Sequence, residues 1–298
     1  MYDAIIVGAR CAGSPTAMLL ARKGYSVAVL DRATFPSDAL STHIIKRPGV
    51  EQLEKWGLLD SVLATDCPPI TAFSFDIGDF RLRGNPPPKD GVPMIAPRRA
   101  VLDEILVDAT VSAGAELREE FVVRELLFDG DRVVGVKGQH KGGPIETLRG
   151  HIVIGADGRN SLVARTVDAP TYDDVPPQAF YYYSYWPELP VTHLEAHARH
   201  HQFVLAIPTN DGQTCLMAGR PVEYFQEFSA DVETSFHETL AIAPDLADVV
   251  SEREPIQPYE GTECRTTSAA VRPRVGPRRR RQPLHGPAER SRHHRRLL

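Results

Sequence analysis

Cysteine is scarce in this sequence of 298 residues, and its four copies are widely separated. They stand at Cys11, Cys67, Cys215 and Cys264, and no two of them have the Cys-x-x-Cys spacing that many zinc sites and redox motifs use. The spacing therefore argues against a disulfide framework and against a structural zinc site. We expect a chain adapted to a reducing compartment and predict a cytoplasmic location.

Long apolar runs are also missing. No stretch approaches the roughly 18 apolar residues that a membrane-spanning helix needs, so we expect no integral membrane segment. The first residues lack a basic region, and Arg10 interrupts their apolar stretch, which argues against a signal peptide. The composition, with 42% hydrophobic and 24% charged residues, excludes a collagenous or wholly disordered chain.

The net charge of -5 combines two regions of opposite sign. Residues 272–298 hold ten Arg and one Glu, whereas the other 271 residues hold 24 basic and 38 acidic side chains. A basic tail can indicate a nucleic-acid arm. This tail has no aromatic residue for base stacking and follows an acidic body, so we expect no nucleic-acid partner.

The N-terminal region has the pattern of a strand, a helix and a second strand. Residues 2–7 form a short apolar run, 12–23 a helical stretch, and 26–30 an apolar run that ends at Asp31. This order favours a parallel sheet covered by helices. Further predictions are helices over 48–57, 99–112 and 226–242, a hairpin over 72–83, and strands over 121–128, 132–138 and 151–155.

After about residue 170 the pattern changes to antiparallel strands, in the segments YYYSYWPELPV, HQFVLAIPT and QTCLMAGR. The expected fold class is α/β: a Rossmann-like domain with a parallel sheet, plus an antiparallel-sheet α+β domain. The predicted boundaries assign 1–71 and 96–168 to the first domain, 72–95 and 169–271 to the second, and 272–298 to an unstructured or out-of-frame tail.

A turn containing two glycines, Gly8-Ala9-Arg10-Cys11-Ala12-Gly13, joins the first strand to the first helix. Glycine permits the tight turn, and a helix N-terminus offers N–H groups and a positive dipole end to a diphosphate. Asp31 ends the next strand, 18 residues after Gly13, where a carboxylate can accept hydrogen bonds from ribose hydroxyls. Arg10 replaces the middle glycine and either crowds or contacts the diphosphate. The pattern predicts dinucleotide binding, with a plain α/β turn as the alternative.

A second turn, Gly155-Ala156-Asp157-Gly158, also lies between a predicted strand and a helix. An acidic side chain at the end of a parallel strand faces the ligand crevice of such sheets. The alternative is that Asp157 caps the following helix. The residues of this turn leave both interpretations open.

Aromatic residues alternate across a predicted strand, at Tyr181, Tyr182, Tyr183, Tyr185 and Trp186. Core packing is one interpretation of the series. The other is a substrate pocket to which Tyr183 and Tyr185 contribute. The nearby His193, His197, His200 and His201 lack a partnered carboxylate pattern, and we predict no metal site.

Together these strings resemble the flavoprotein monooxygenase superfamily of the para-hydroxybenzoate hydroxylase type, including its geranylgeranyl-reductase-like members. VGARCAGSPTAMLLARKG followed by VLDRATFPSD is similar to the family's FAD fingerprint, and GADGRNSLVAR is similar to its Asp-Gly motif. Arg99-Ala100-Val101-Leu102-Asp103 matches a further typical segment. The resemblance covers roughly residues 1–271 and makes the two predicted domains an FAD-binding domain and a substrate domain.

The resemblance implies FAD as the bound cofactor and NAD(P)H as a transient reductant. For two of the residues assigned below there is an alternative to a role at the cofactor: Arg99 as a surface charge at a helix start, and Val123 as an ordinary core residue of a strand. The implied roles are Gly8, Arg10, Gly13 and Arg99 at the diphosphate, Asp31 and Arg32 at the adenosine ribose, Val123 near the adenine, and Asp157 with Gly158 between the diphosphate and the ribityl chain.

The same family has a third FAD motif after the substrate domain, a Gly-Asp segment followed by a helix. Gly-Asp pairs occur here at Gly78-Asp79 and Gly130-Asp131, both too early, and the basic tail stands where the motif is expected. Consecutive arginine codons of the CGN type become GNC codons when they are read one base later, and GNC encodes Gly, Asp, Ala or Val. An arginine-rich tail can therefore arise from a Gly-Asp motif that is read in the wrong frame. We therefore expect the tail to be out of frame.

The function implied by the resemblance is that of an FAD-dependent oxidoreductase. The first hypothesis is NAD(P)H-dependent hydroxylation of a small organic molecule, and the second is flavin reduction of an isoprenoid double bond. The third is a truncated, non-catalytic FAD-binding fragment, which the missing motif favours. Ser41-Thr42-His43 either lie beside the flavin ring or form a structural cluster. The sequence does not identify the substrate or a catalytic acid or base.

Overall fold

The computed structural model of the protein describes residues 1–39, 41, 43–85, 94–263 and 266–269. Two large sheets dominate these residues, one with six strands and one with seven. The predicted α/β class is confirmed. No helix of the described part is both long enough and apolar enough to cross a membrane.

The elements up to residue 155 include all six strands of the first sheet and two strands of the second. They are β1 (Tyr2–Val7), α1 (Gly13–Ala21), β2 (Val27–Leu30), α2 (Arg47–Trp56), α3 (Leu59–Leu63), β3 (Phe73–Asp76), β4 (Arg81–Gly84), α4 (Arg99–Ser112), β5 (Glu116–Arg118), β6 (Phe121–Asp129), β7 (Arg132–His140) and β8 (Glu146–Gly155).

The second half contributes most of the second sheet and the helices that cover one of its faces. Its elements are α5 (Leu162–Thr166), β9 (Thr171–Val175), β10 (Ala179–Pro187), β11 (Leu194–Arg199), β12 (Gln202–Pro208), β13 (Gln213–Pro221), α6 (Phe225–Ala230), α7 (Val232–Leu240), α8 (Pro244–Ser251), β14 (Glu260–Glu263) and β15 (Thr266–Ala269).

The six-stranded sheet has the order β5-β2-β1-β8-β7-β6. Its first four strands are parallel, and β8, β7 and β6 form an antiparallel meander. Val7 lies opposite both Leu30 and Gly155, so the carboxyl ends of β1, β2 and β8 meet at one edge. The segments that follow these strands, including both glycine-containing turns, therefore begin side by side at that edge.

The helices α1 and α4 pack together against the parallel part of this sheet. Met18 of α1 shares a buried cluster with Leu102 and Leu106 of α4. The Thr110 hydroxyl donates to the Ser14 carbonyl at 2.8 Å, which joins the two helices by a polar contact as well. This packing fixes the start of α4 relative to the start of α1, a relationship on which the site depends.

The seven-stranded sheet has the order β14-β10-β13-β12-β11-β3-β4. Its pairs are antiparallel except that β11 runs parallel to β3. The alternation of β10 divides its aromatic residues between two cores. Trp186 packs with the α7 residue Phe236, whereas Tyr183 and Tyr185 lie in a separate buried cluster with Met217.

The structure corrects one predicted helix. Residues 226–242 form two helices because Asp231 has an extended backbone, with φ -146° and ψ 88°. Its carboxylate accepts hydrogen bonds from the Thr234 N–H at 3.2 Å and the Thr234 hydroxyl at 2.9 Å, so it caps α7. The domain boundaries stay a prediction, and the tail over 272–298 lies outside the described residues.

Candidate functional site

The first glycine turn is built so tightly that two of its positions exclude any side chain. Gly8 has φ +102°, and a Cβ there would lie 2.3 Å from the Ala156 carbonyl oxygen. A Cβ at Gly13 would lie 1.7 Å from the Gly8 carbonyl oxygen. Among the described residues, the N-cap position of α1 is Ala12, which makes no side-chain cap hydrogen bond, so the positive end of the helix is available to an anion.

Asp31 holds this turn in place. Its Oδ2 accepts a hydrogen bond from the Ala9 N–H at 2.7 Å, and its Oδ1 accepts one from the Ala33 N–H at 2.9 Å. Each carboxylate oxygen retains a lone pair that can accept a further hydrogen bond from a ligand hydroxyl. The neighbouring Arg32 is exposed, so the two residues predicted to act together have different environments.

The Arg10 side chain joins a compact charged cluster. Its Nη1 lies 2.6 Å from Asp103 Oδ2, and its Nη2 donates to Ser37 Oγ at 3.0 Å. Arg99 grips the same carboxylate, with Nη2 at 2.9 and 2.8 Å from the two Asp103 oxygens. The Cys11 thiol donates to Asp103 Oδ1 at 3.4 Å. Two guanidinium groups therefore share one buried carboxylate beside the start of α1.

Asp103 is the site residue that the sequence prediction missed. Its side chain has no exposed surface, while the side chains of Arg10 and Arg99 remain 26% and 15% exposed. The two arginines therefore keep part of their hydrogen-bonding surface for a ligand. The spacing of Arg99 and Asp103, four residues apart on a helix, was a visible signal for this pair. The contribution of Arg10 comes from a distant segment and gave no local signal.

The second glycine turn lies directly against the first. The Ala156 N–H donates to the Val7 carbonyl at 2.7 Å, next to the point where Gly8 meets the Ala156 carbonyl. The Asp157 carboxylate accepts from the Ser161 hydroxyl at 2.5 Å and from the Leu162 N–H at 2.6 Å. The side chain thus caps α5, which was one of the two interpretations of the motif. Gly158 is exposed, with φ +80°.

Val123 lies on β6, a strand of the first sheet. It is half-buried and packs against a core cluster that includes Phe121. The Phe121 N–H donates to the Asp31 carbonyl at 2.8 Å, which brings the start of β6 to the end of β2. Val123 is therefore on the strand that borders Asp31, and its role at an adenine stays a prediction.

A second polar cluster lies between the two sheets. Arg98, immediately before α4, pairs with Asp38, donates to Gln213 at 3.1 Å and Gln257 at 2.9 Å, and lies 4.3 Å from the Tyr185 ring centroid. Arg98 and Arg99 are adjacent in the sequence but belong to different clusters. Arg99 serves the cluster at the first glycine turn, whereas Arg98 joins the segment after β2 to the second sheet.

Tyr183 and Tyr185 are buried in the same part of the molecule. The Tyr183 hydroxyl donates to Glu260 at 2.9 Å, and the Tyr185 hydroxyl forms a short hydrogen bond with His43 Nε2. Burial raises the pKa of both tyrosines, so their hydroxyls stay protonated. Their rings fill a core, and their role as a substrate-binding face stays a prediction.

The residues at the first glycine turn fit a diphosphate linked to a ribose. The two glycine positions leave no room for a Cβ, so the backbone can approach a ligand closely. Arg10 and Arg99 supply two guanidinium groups, which suit phosphate oxygens. Asp31 supplies acceptors for ribose hydroxyls at the neighbouring strand end. An uncapped helix start completes this set of donors.

Comparison with curated proteins finds relatives named as a reductase and as a synthase. The chain is 32% identical over 171 residues to digeranylgeranylglycerophospholipid reductase 2 of Methanopyrus kandleri, a match that covers 55% of this chain and 39% of the relative. It is 31% identical over 183 residues to violacein synthase of Chromobacterium violaceum, covering 57% and 41%. The matched part thus spans about two fifths of each relative.

The fold is shared with solved flavoprotein structures. A myxobacterial chondrochloren halogenase, described as an FAD-dependent halogenase, superposes with a TM-score of 0.80 at 19% identity, covering 90% of this chain and 65% of the halogenase. At that identity the likeness establishes the fold alone. The model of the FAD binding domain family matches residues 1–227, well over half of the sequence. The chain therefore belongs to the FAD binding domain family.

Proposed function

We propose that this chain binds FAD at the first glycine turn and supplies the cofactor-binding part of an FAD-dependent oxidoreductase. The observation that carries the proposal is the pair of arginines, Arg10 and Arg99, held by buried Asp103 beside two side-chain-free glycine positions. A carboxylate between two guanidinium groups fixes their positions before the ligand arrives, so less conformational entropy is lost on binding.

The proposed roles follow the order of groups along the cofactor. Gly8 and Gly13 let the backbone approach the diphosphate, and Arg10 with Arg99 donates to its oxygens. Asp31 accepts hydrogen bonds from the adenosine ribose. Arg32, Val123, Asp157 and Gly158 are assigned supporting positions at the ribose, the adenine and the ribityl side of the diphosphate.

When bound, FAD supplies the ability to accept and deliver electrons or hydride. The protein residues bind the cofactor, orient it and exclude water. NAD(P)H is proposed as a reductant that visits the enzyme transiently, because the sequence has one Gly-rich dinucleotide fingerprint and that one is assigned to FAD. The proposed overall reaction is hydroxylation of a small organic substrate by O₂.

A second candidate is the reduction of an isoprenoid double bond. The observation that favours it is the 32% identity to an archaeal digeranylgeranylglycerophospholipid reductase. Oxygen electrode measurements with NADPH and FAD separate the two candidates. Substrate-dependent oxygen consumption supports hydroxylation, whereas NADPH oxidation without oxygen, coupled to saturation of an added isoprenoid, supports reduction. FAD binding without either activity supports a non-catalytic FAD-binding chain.

Binding itself is tested by fluorescence titration of FAD and by competition with ADP. We expect Arg99→Gln to raise the Kd for both FAD and ADP about tenfold, because one charge-assisted contact to the diphosphate is lost. Arg132→Gln is the matched control, since Arg132 is exposed and donates to the His151 carbonyl on the far meander. A wild-type protein that does not bind FAD would contradict the proposal.

A further inference from the structure

His43 is a buried histidine, and one of its two ring nitrogens makes no well-formed hydrogen bond with the described residues. His43 is 3% exposed. Its ring packs edge-on against two tyrosines, and its centroid lies 4.7 Å from that of Tyr183 and 5.4 Å from that of Tyr185. Nε2 is bonded to the Tyr185 hydroxyl, whereas buried Nδ1 makes no well-formed hydrogen bond among the residues that the structure describes. The Ser41 backbone interacts with the ring and raises its pKa, an effect smaller than that of burial. A buried polar atom without a partner is costly unless a ligand satisfies it.

Counting protons assigns the tautomer of His43. Burial lowers the pKa of His43 to about 4, so the imidazole is neutral and carries one N–H. If Nε2 carried that proton, both the Tyr185 hydroxyl proton and the Nδ1 lone pair would lack partners. If the Tyr185 hydroxyl donates to Nε2, the proton is on Nδ1, and only the Nδ1–H group lacks a partner. The Arg98 guanidinium, 4.3 Å from the Tyr185 ring centroid, also favours the arrangement in which the hydroxyl proton is shared with His43.

The segment that leads to His43 begins at the proposed diphosphate site. The Arg10 guanidinium lies 5.3 Å from the Phe35 ring centroid and donates to Ser37 Oγ at 3.0 Å. Asp38 then pairs with Arg98, and His43 reaches Tyr185 of the second sheet. The contacts of Ser37, Asp38 and His43 thus run from the proposed diphosphate site to the second sheet.

We propose that His43 Nδ1–H donates a hydrogen bond to the flavin ring of bound FAD, and that Tyr185 is a positioning residue that keeps the proton on Nδ1. The flavin ring carries carbonyl oxygens and ring nitrogens that accept such a bond. This inference rests on the proposed function, because it needs FAD at the first glycine turn. Through Tyr185, a residue of the second sheet thus controls which nitrogen of His43 donates to the flavin ring.

The test compares FAD with ADP, which has the diphosphate but no flavin ring. His43→Leu removes the donor, and we expect it to raise the Kd for FAD about tenfold and to leave the Kd for ADP unchanged. His43→Asn is the matched variant: it has nearly the same shape as the Leu variant, keeps an amide donor and tolerates φ +60°. We expect it to retain most of the FAD affinity. Tyr185→Phe is expected to raise the Kd for FAD about threefold and to shift the absorbance bands of the bound flavin.

The outcomes separate this inference from the proposed function. Equal FAD affinity in wild type, His43→Leu and Tyr185→Phe overturns the hydrogen bond while leaving FAD binding intact. An equal loss of FAD and ADP affinity also overturns it, because the effect is then structural. A wild-type protein that binds neither ligand overturns both. Thermal unfolding of each variant controls for folding.

Discussion

Asp103 is fully buried and binds two guanidinium groups, which is an uncommon position for a carboxylate in a folded protein. Its i,i+4 pairing with Arg99 could be seen in the sequence, because α4 has the predicted bounds 99–112. Its pairing with Arg10 could not, because 92 residues separate the two positions in the chain and only the packing of α1 on α4 joins them.

His43 gives a prediction for the pH dependence of stability. Burial lowers its pKa from the ordinary value of 6.5 to about 4. The unfolded chain therefore takes up a proton at His43 in this interval, while the folded protein does not. The stability associated with neutral His43 is present above pH 6.5 and is lost as the pH falls toward 4.

Urea unfolding of wild type and His43→Asn at pH 7 and pH 5 measures this effect. We expect wild type to lose about 2 kcal/mol more of its unfolding free energy than the variant between the two pH values. The carboxylates and other histidines are the same in both proteins, so their titration cancels in the comparison. Equal losses would show that His43 takes up its proton at the same pH in both states.

Helix α4 is the element that organises the site, and its start is stabilised from outside the helix. No side chain of the helix itself caps it, whereas Asp38 Oδ1 accepts the Ala100 N–H at 3.0 Å and Asp38 Oδ2 pairs with Arg98. The sequence predicted this helix over residues 99–112. It could not predict a cap from the segment after β2, because that contact forms only in the folded protein.

Substitution of Asp38 tests the cap. Asp38→Ala is expected to lower the unfolding free energy by about 2 kcal/mol, because an N-terminal cap and a partly buried ion pair are both lost. Asp38→Asn keeps the acceptor oxygen and should lose less. Asp60→Ala, at an exposed position in the first turn of α3, is the control and should change stability by about 0.5 kcal/mol or less. Urea titration gives all three values; similar losses in the three variants would argue against the cap.

At the scale of the whole molecule, Arg98 joins the segment after β2 to the second sheet through Asp38, Gln213 and Gln257. The protein has two tryptophans, and they report on different regions. Trp56 ends α2 and packs against the cluster formed by α1, α2, α3 and α4, whereas Trp186 is buried on β10 of the second sheet. Variants that retain a single tryptophan therefore follow the unfolding of each region separately.

We expect the two urea midpoints to coincide when Arg98 is present, because the polar cluster couples the regions. Arg98→Leu should separate them, since Asp38 and both glutamines lose their shared donor. The experiment uses Trp56→Phe and Trp186→Phe proteins with and without the Arg98 substitution. Midpoints that remain together in Arg98→Leu would show that apolar packing alone couples the two sheets.

The sequence by itself determined the α/β class and the two glycine turns, because strand periodicity, glycine spacing and strand-end acidic residues are local properties of the chain. It did not separate a ligand-facing role for Asp157 from a helix cap, and it read α6 and α7 as one helix. The tertiary structure alone brought Arg10 and Arg99 to one carboxylate and His43 to Tyr185. These contacts join residues far apart in the sequence, and side-chain packing and hydrogen bonding between distant segments decide them.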